Sequence, residues 1–341
     1  HDEGEGAMYD LLLNADEAMI EASVKDFLAD RLPLARLRPA AARHDRQVFW
    51  QEMAQLGWFG SGLPESVGGA GLGLTAEVLI HRECGRHLAT PNVIASMLAG
   101  HIALAVGEPN LAARVARGEA QASLAIGQPS GQGQAYVLDR EGADYIVAWG
   151  DWGIGLFDHS ALADTSCGDS LDDSISLSAA ELAPGGALHM LAGDQPLARR
   201  GELLLAAAQV GLATGASDLA VGYAAMREQF GKPIGSFQAI KHRCADMAVR
   251  QRLAWYQTCH AALKLVAGAD DAALQVASAL LLASEAAREN ARACIQIHGG
   301  IGFQAECDAH WFIKRAFVYD LAGGSEQLQA ARVLSAPEPA W

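Results

Sequence analysis

Charge is scarce in this sequence, and positive charge is scarcer still. Only 19% of the 341 residues are Asp, Glu, Lys or Arg, and 25 basic residues stand against 40 acidic ones, a formal net charge of −15. That balance argues against a general affinity for nucleic acid or an anionic membrane, so any anionic ligand has to be met by a local basic site. Cysteine is sparse and unpatterned: Cys84, Cys167, Cys244, Cys259, Cys294 and Cys307 form no CxxC pair. Their scatter argues against a disulfide framework and a structural zinc site, and it points to a reducing cytoplasm. Long apolar runs are missing too. The longest stretch without Asp, Glu, Lys or Arg, His87 to Gly107, carries two histidines, Pro91 and Asn92, which makes it a poor membrane span. The acidic start HDEGEGA before Met8 reads as an added tag rather than a signal peptide. What the chain does have is 51% hydrophobic residues, enough at this length for at least one sizeable core.

Met19, Ile20, Val24, Phe27 and Leu28 recur at three- and four-residue spacing and predict an amphipathic helix over Asp16 to Asp30. A second helix follows around Val48 to Leu56. From Gly57 to Leu74, seven glycines and Pro64 break regular structure, and a helical pattern resumes from Thr75 to Arg86. After Glu119 the character changes. Short apolar runs at Ala122 to Ile126, Tyr145 to Trp149 and Ile154 to Phe157, set among Gly, Asp and Ser, predict strands. Ala- and Leu-rich stretches from Arg200 to Ala267 and Asp271 to Gln296 then predict bundled helices. The expected organisation is α+β: an N-terminal helical domain over 8–119, a small β-domain over 120–197 and a C-terminal helical bundle over 198–336. The tail from Pro337 to Trp341 reads as a frayed end.

Two constellations carry chemistry. In Arg227-Glu228-Gln229-Phe230-Gly231-Lys232-Pro233-Ile234, a helix ends and its turn presents a guanidinium, an amide and an aromatic ring: a phosphate partner, a hydrogen-bonding edge and a stacking surface. Taken alone, these residues also suit a plain capped turn with a surface arginine. In Gln296-Ile297-His298-Gly299-Gly300-Ile301-Gly302-Phe303, glycines at a helix end allow backbone N–H groups close to a phosphate. The run follows a helix rather than a strand, which disfavours a Rossmann dinucleotide fold, and a helix C-cap alone also accounts for Gly299. No Ser, Cys or metal-ligand set accompanies His298 at motif spacing, so the sequence reads it as a packing histidine or one that supports a neighbouring functional group, rather than a catalyst.

Together these stretches resemble the acyl-CoA dehydrogenase family. The resemblance rests on three blocks in order: LGWFGSGLPESVGGAGLGL (Leu56 to Leu74), REQFGKPIGSFQAIKHRCADM (Arg227 to Met247) and QIHGGIGF (Gln296 to Phe303). It implies an N-terminal helical domain, a middle β-domain and a C-terminal four-helix bundle, assembled as a tetramer that binds FAD across a subunit interface. It also implies removal of two hydrogens from Cα and Cβ of an acyl-CoA thioester, with an electron-transferring flavoprotein as acceptor. By position, Arg227, Gln229 and Phe230, with Gln296, Gly299 and Gly300, correspond to residues that hold the ADP end of a neighbouring subunit's FAD. Ser325, in Gly324-Ser325, corresponds to the family's Gly-Thr pair.

The chain departs from that pattern where the reaction needs a carboxylate to take the α-proton. Gly323 stands at the usual base position, and Gly201 at the alternative one. Glu202, one residue on, is the remaining candidate, although one step along a helix turns a side chain by about 100°, and a first-turn carboxylate favoured by the helix dipole accounts for it equally well. Where the family shows Thr-Glu-Pro and Gly-Ser-Asp, this chain reads Ile126-Gly127-Gln128-Pro129-Ser130, and the strand that covers the flavin ring has no counterpart; Trp149 and Trp152 either replace some stacking surface or, as is commoner for tryptophans in a Gly-rich region, form part of a core. The pattern implies one subunit of a heteromeric, α2β2 acyl-CoA dehydrogenase whose homologous partner supplies the base and the flavin pocket, with a steroid side-chain acyl-CoA as substrate by analogy with mixed assemblies in the family. Two alternatives stay open: a self-sufficient homotetramer with Glu202 as base, and a non-catalytic relative that keeps the fold for assembly or acyl-CoA binding.

Overall fold

The computed structural model describes residues 13–38, 46–127, 134–161, 165–166 and 170–336. Gln128-Pro129-Ser130, Cys167 and the tail from Pro337 lie outside them. Helix α1 (Ala15–Arg31) begins at an Asn14 capping box, in which the Asn14 side chain accepts from Glu17 N while the Glu17 carboxylate accepts from Asn14 N. It is followed by α2 (Arg46–Gln55), α3 (Gly73–Arg86), α4 (Asn92–Ala105) and α5 (Pro109–Ala116). The glycine-rich segment between α2 and α3 is not wholly irregular: it holds short 3-10 turns at Trp58–Gly60 and Glu65–Val67. It folds tightly on itself. A Cβ on Gly69 would sit 2.1 Å from the Leu63 carbonyl oxygen, so only glycine permits that approach.

Strands β1 (Ala122–Ile126), β2 (Gln134–Leu138), β3 (Tyr145–Gly150), β4 (Gly153–Asp158), β5 (Thr165–Ser166), β6 (Leu177–Glu181) and β7 (His189–Ala192) form one sheet in the order β5-β6-β2-β1-β3-β4-β7. The β1 and β3 strands pair in parallel with Leu124 opposite Val147, and the remaining pairs are antiparallel. Every residue of β1 is buried, which is why it reads as a short apolar run, its one polar residue, Ser123, donating to Asp139 O. The sheet docks on α4: the Ser96 hydroxyl accepts from Ala122 N at 2.8 Å and Asn92 Nδ2 donates to Asp139 O at 2.8 Å.

The C-terminal bundle comprises α6 (Pro196–Met226), α7 (Gln238–Val266), α8 (Ala272–His298) and α9 (Ala309–Ala322), with α10 (Glu326–Ser335) packed on α8. The α6 helix is long and apolar enough to cross a bilayer, yet most of it is buried as the core helix of the bundle. Its small residues permit that: a Cβ on Gly211 would meet the Arg82 carbonyl oxygen at 1.9 Å, and one on Gly85 of α3 would meet that of Ala208 at the same distance. By contrast, α7 leaves much of its length exposed, including Val249, Leu253 and Tyr256. Buried polar contacts join the layers. Arg315 of α9 reaches Asp172 at 2.5 Å, Ala89 O at 2.7 Å and the Ser174 hydroxyl at 2.9 Å, binding the bundle to the α3–α4 connection and to the segment before β6.

Candidate functional site

The α6 helix stops at Met226 because the chain turns extended at Arg227 (φ −74°, ψ 122°) and enters a two-stranded hairpin, β8 (Glu228–Gln229) with β9 (Lys232–Pro233). Its two turn residues, Phe230 (φ +51°) and Gly231 (φ +75°), are both left-handed, the requirement of a tight two-residue hairpin turn. Glycine meets this freely and phenylalanine does not. Phe230 is nevertheless 93% exposed at the tip, edge-on to Phe237 at 6.2 Å, while Lys232 Nζ sits 4.4 Å over the Phe237 ring. A strained, uncovered aromatic ring projects from the surface.

Across from the hairpin, α8 ends at His298. Gly299 (φ +64°) turns the chain into a 3-10 segment, Gly299–Phe303. The Gly299 N–H bonds back to the helix carbonyls, so this glycine supplies the turn rather than a free donor. No atom lies within 4 Å of where a Cβ on Gly299 or Gly300 would stand, whereas Gly302 is pressed against the Ile295 carbonyl. The His298 ring stacks on Tyr223 of α6, centroids 4.1 Å apart and planes 23° from parallel.

The fold thereby brings the two constellations together. Tyr223, Arg227 and Gln229 from one side and His298 and Gly300 from the other line a single cleft of about 510 Å³. Phe230, Gln296 and Gly299 adjoin these residues in sequence without lining it. Among the described residues the Arg227 guanidinium has no hydrogen bond or ion pair, which leaves its donors available to an anion. An unpaired guanidinium, an amide, exposed aromatic rings and uncrowded glycines suit a nucleotide diphosphate. Tyr223 is not marked by the sequence reading, although the four-residue step from Tyr223 to Arg227 along α6 is a signal for it, and His298, read there as supporting structure, lines the cleft.

Ser325 lies elsewhere, as the N-cap of α10, its hydroxyl accepting from Leu328 N. Glu202 is only 4% exposed and is held by two arginines, Arg199 Nη1 at 3.0 Å and Arg332 Nη1 at 2.6 Å; Arg332 also reaches Asp151 at 3.0 Å. Both glycines at base positions are packed by apolar atoms. A Cβ on Gly323 would meet Leu280 at 3.1 Å and Leu205 at 3.3 Å, and one on Gly201 would meet Leu98 at 3.1 Å and Trp149 at 3.4 Å. Trp149 thus packs on α6, and Trp152 lies edge-on to Phe157, inside a small core of the sheet.

A further charged cluster had no sequence signature. Glu77 of α3, 1% exposed, receives Arg200 Nε at 2.6 Å and lies 2.7 Å from His101 Nε2. Burial pushes its carboxyl up, but the His101 and Arg200 contacts outweigh that and hold it at about 2.

Residues 14–121 match the model of the acyl-CoA dehydrogenase N-terminal domain and residues 199–336 that of the C-terminal domain. The chain is 32% identical to the acyl-CoA dehydrogenase IpdE2 of Mycobacterium tuberculosis, over 93% of this chain and 94% of that protein. It is 33% identical to the acyl-CoA dehydrogenase FadE34 of the same organism, but spans only 40% of that longer protein. Its fold is similar to that in the ChsE4-ChsE5 complex of Mycobacterium tuberculosis (TM-score 0.81, 23% identity, 96% of this chain and 100% of that one). It is also similar to that of the steroid acyl-CoA dehydrogenase Tcur3481-Tcur3483 (TM-score 0.78, 22% identity, 93% and 96%).

Proposed function

The chain belongs to the acyl-CoA dehydrogenase family, and from that premise we propose that it is the cofactor-lending subunit of a heteromeric enzyme, α2β2 with a homologous partner. In this reading Arg227, Gln229 and Phe230, with Gln296, Gly299 and Gly300, hold the ADP end of FAD whose flavin lies in the partner; Ser325 keeps its capping role and contributes at most from the α10 start. The observation that carries the reading is an asymmetry. The cleft presents an unpaired Arg227, whereas both base positions are glycines whose missing side chains are replaced by leucine and tryptophan contacts.

The residues present fit the diphosphate end of FAD and not its reacting end. When bound, FAD accepts the hydride leaving Cβ of the acyl thioester. This chain's part is to bind and orient. The Arg227 fork neutralises phosphate charge, Gln229 supplies an amide edge, and Phe230 offers the partner-bound cofactor a flat apolar surface. Removal of the α-proton falls to a partner carboxylate, since Glu202 is committed to Arg199 and Arg332. The substrate class follows by analogy: the similar Tcur3481-Tcur3483 protein is a steroid enzyme, so we assign a bulky steroid side-chain acyl-CoA, with an electron-transferring flavoprotein as acceptor. Among the described residues five cysteines are free thiols, which suits a cytoplasmic setting.

The test is the flavin-to-chain ratio, by absorbance and mass, for the chain alone and co-expressed with a homologous subunit. A colourless lone chain and a complex with about half as many FAD as chains are expected, with Arg227→Ala stripping flavin from the complex. One FAD per lone chain together with acyl-CoA oxidation overturns the reading and returns Glu202 to the base role.

A further inference from the structure

We propose that His298 is a positioning residue that reads the nucleoside part of the ligand in the Arg227 cleft by accepting a hydrogen bond through Nε2. The inference rests on the half-site reading above and adds to it a residue that the sequence had assigned to packing or support.

Three observations place the imidazole. Its side chain is 7% exposed, yet it lines the cleft beside Arg227 and Gly300. Its Nδ1 lies 2.8 Å from the Cys294 carbonyl oxygen, which can only accept, so Nδ1 carries the proton and donates it. In the neutral ring that bond fixes the tautomer and leaves a lone pair on Nε2. Among the described residues Nε2 has no partner, and it is not among the fully buried unpartnered atoms, so the ring of this cleft-lining residue keeps one polar atom within reach of a ligand.

The ring cannot swing away from this role. Tyr223 stacks on it at 4.1 Å, and the bond from Nδ1 to the Cys294 carbonyl holds its rotation. A fixed acceptor selects a donor. The diphosphate of a dinucleotide, esterified at both ends, is fully ionised at neutral pH and has no proton to give, whereas a nucleoside carries ribose hydroxyls and, in adenine, an exocyclic amine. The cleft therefore divides its recognition: Arg227 takes the diphosphate, and His298 takes a hydroxyl or amine of the adenosine attached to it.

The experiment compares ADP and inorganic pyrophosphate as probes, by titration calorimetry on the assembled heteromer stripped of flavin. His298→Phe keeps a flat ring for Tyr223 and removes the acceptor; His298→Gln restores an acceptor. The expected result is that His298→Phe weakens ADP by about fivefold, the size of one net hydrogen bond, with pyrophosphate unchanged and ADP partly recovered in His298→Gln. Arg227→Ala weakens both probes. If Arg227→Ala weakens both but His298→Phe leaves ADP unaltered, or weakens both probes equally, the acceptor role is wrong while the half-site stands. Indifference of both probes to Arg227→Ala overturns the half-site itself. Unchanged melting of each variant heteromer separates lost binding from lost folding.

Discussion

Arg332 of α10 holds Glu202 of α6 at 2.6 Å, and Arg199 takes the other carboxylate oxygen at 3.0 Å. A carboxylate so engaged on both oxygens anchors helix ends to one another and is poorly placed to collect a proton. Glu202→Gln is expected to lower stability by about 1–3 kcal/mol, because Arg199 and Arg332 lose their buried counter-charge and keep only the exposed Asp194 and Asp151, and to leave turnover of the assembled enzyme intact. Denaturant titration beside single-turnover flavin reduction decides it: abolished reduction at unchanged stability makes Glu202 the base.

Gly323 offers the complementary trial. Restoring a carboxylate at the usual base position by Gly323→Glu drives a side chain into Leu280 and Leu205. A cost of about 1–3 kcal/mol from overpacking is expected, and the lone chain gains no dehydrogenase activity. Acyl-CoA oxidation by the purified variant without its partner contradicts this.

At Phe230 local strain and proposed function pull in opposite directions. Its left-handed backbone costs about 1 kcal/mol that glycine does not incur. Phe230→Gly is therefore expected to leave the isolated chain as stable or slightly more so, while the assembled enzyme retains less flavin. Equal flavin retention in variant and wild type shows that the ring serves the hairpin alone.

Acid stability follows from two buried groups. Burial holds His81 at about 4, below the ordinary 6.5, so it folds uncharged, and the stability this confers above pH 6.5 is lost as pH falls toward 4. Glu77, held at about 2 instead of 4.5, contributes stability above pH 4.5 that is lost as pH falls through about 2. Melting temperature against pH is expected to decline in two limbs. Glu77→Gln flattens the lower limb; a Glu77→Gln profile parallel to wild type below pH 4.5 refutes the assignment.

The buried Asp172–Arg315 pair fastens α9 to the segment before β6. Asp172→Asn leaves the guanidinium without its counter-charge and is expected to cost about 3 kcal/mol. Amide exchange checks where the loss falls: faster exchange in β6 and in the α3–α4 connection is expected, and uniform exchange throughout contradicts the tie.

The sequence by itself determined the α, β, α order and the main elements, because each is written in local spacing. The 3.6-residue recurrence from Met19 to Leu28 is α1, and the short, mostly apolar run Ala122 to Ile126 is β1, buried on both faces. It also determined the two base-position glycines and the residues of both constellations, whose types announce their chemistry. Only the tertiary structure decided which residues meet. Tyr223 and Arg227 share a cleft with His298 and Gly300 because α6 and α8 pack side by side and end at the same place. Glu77 finds Arg200 across 123 positions and Asp172 finds Arg315 across 143. Helix periodicity tells which face a side chain takes, but the register and crossing of packed helices set its partner, and these depend on the fit of many side chains at once.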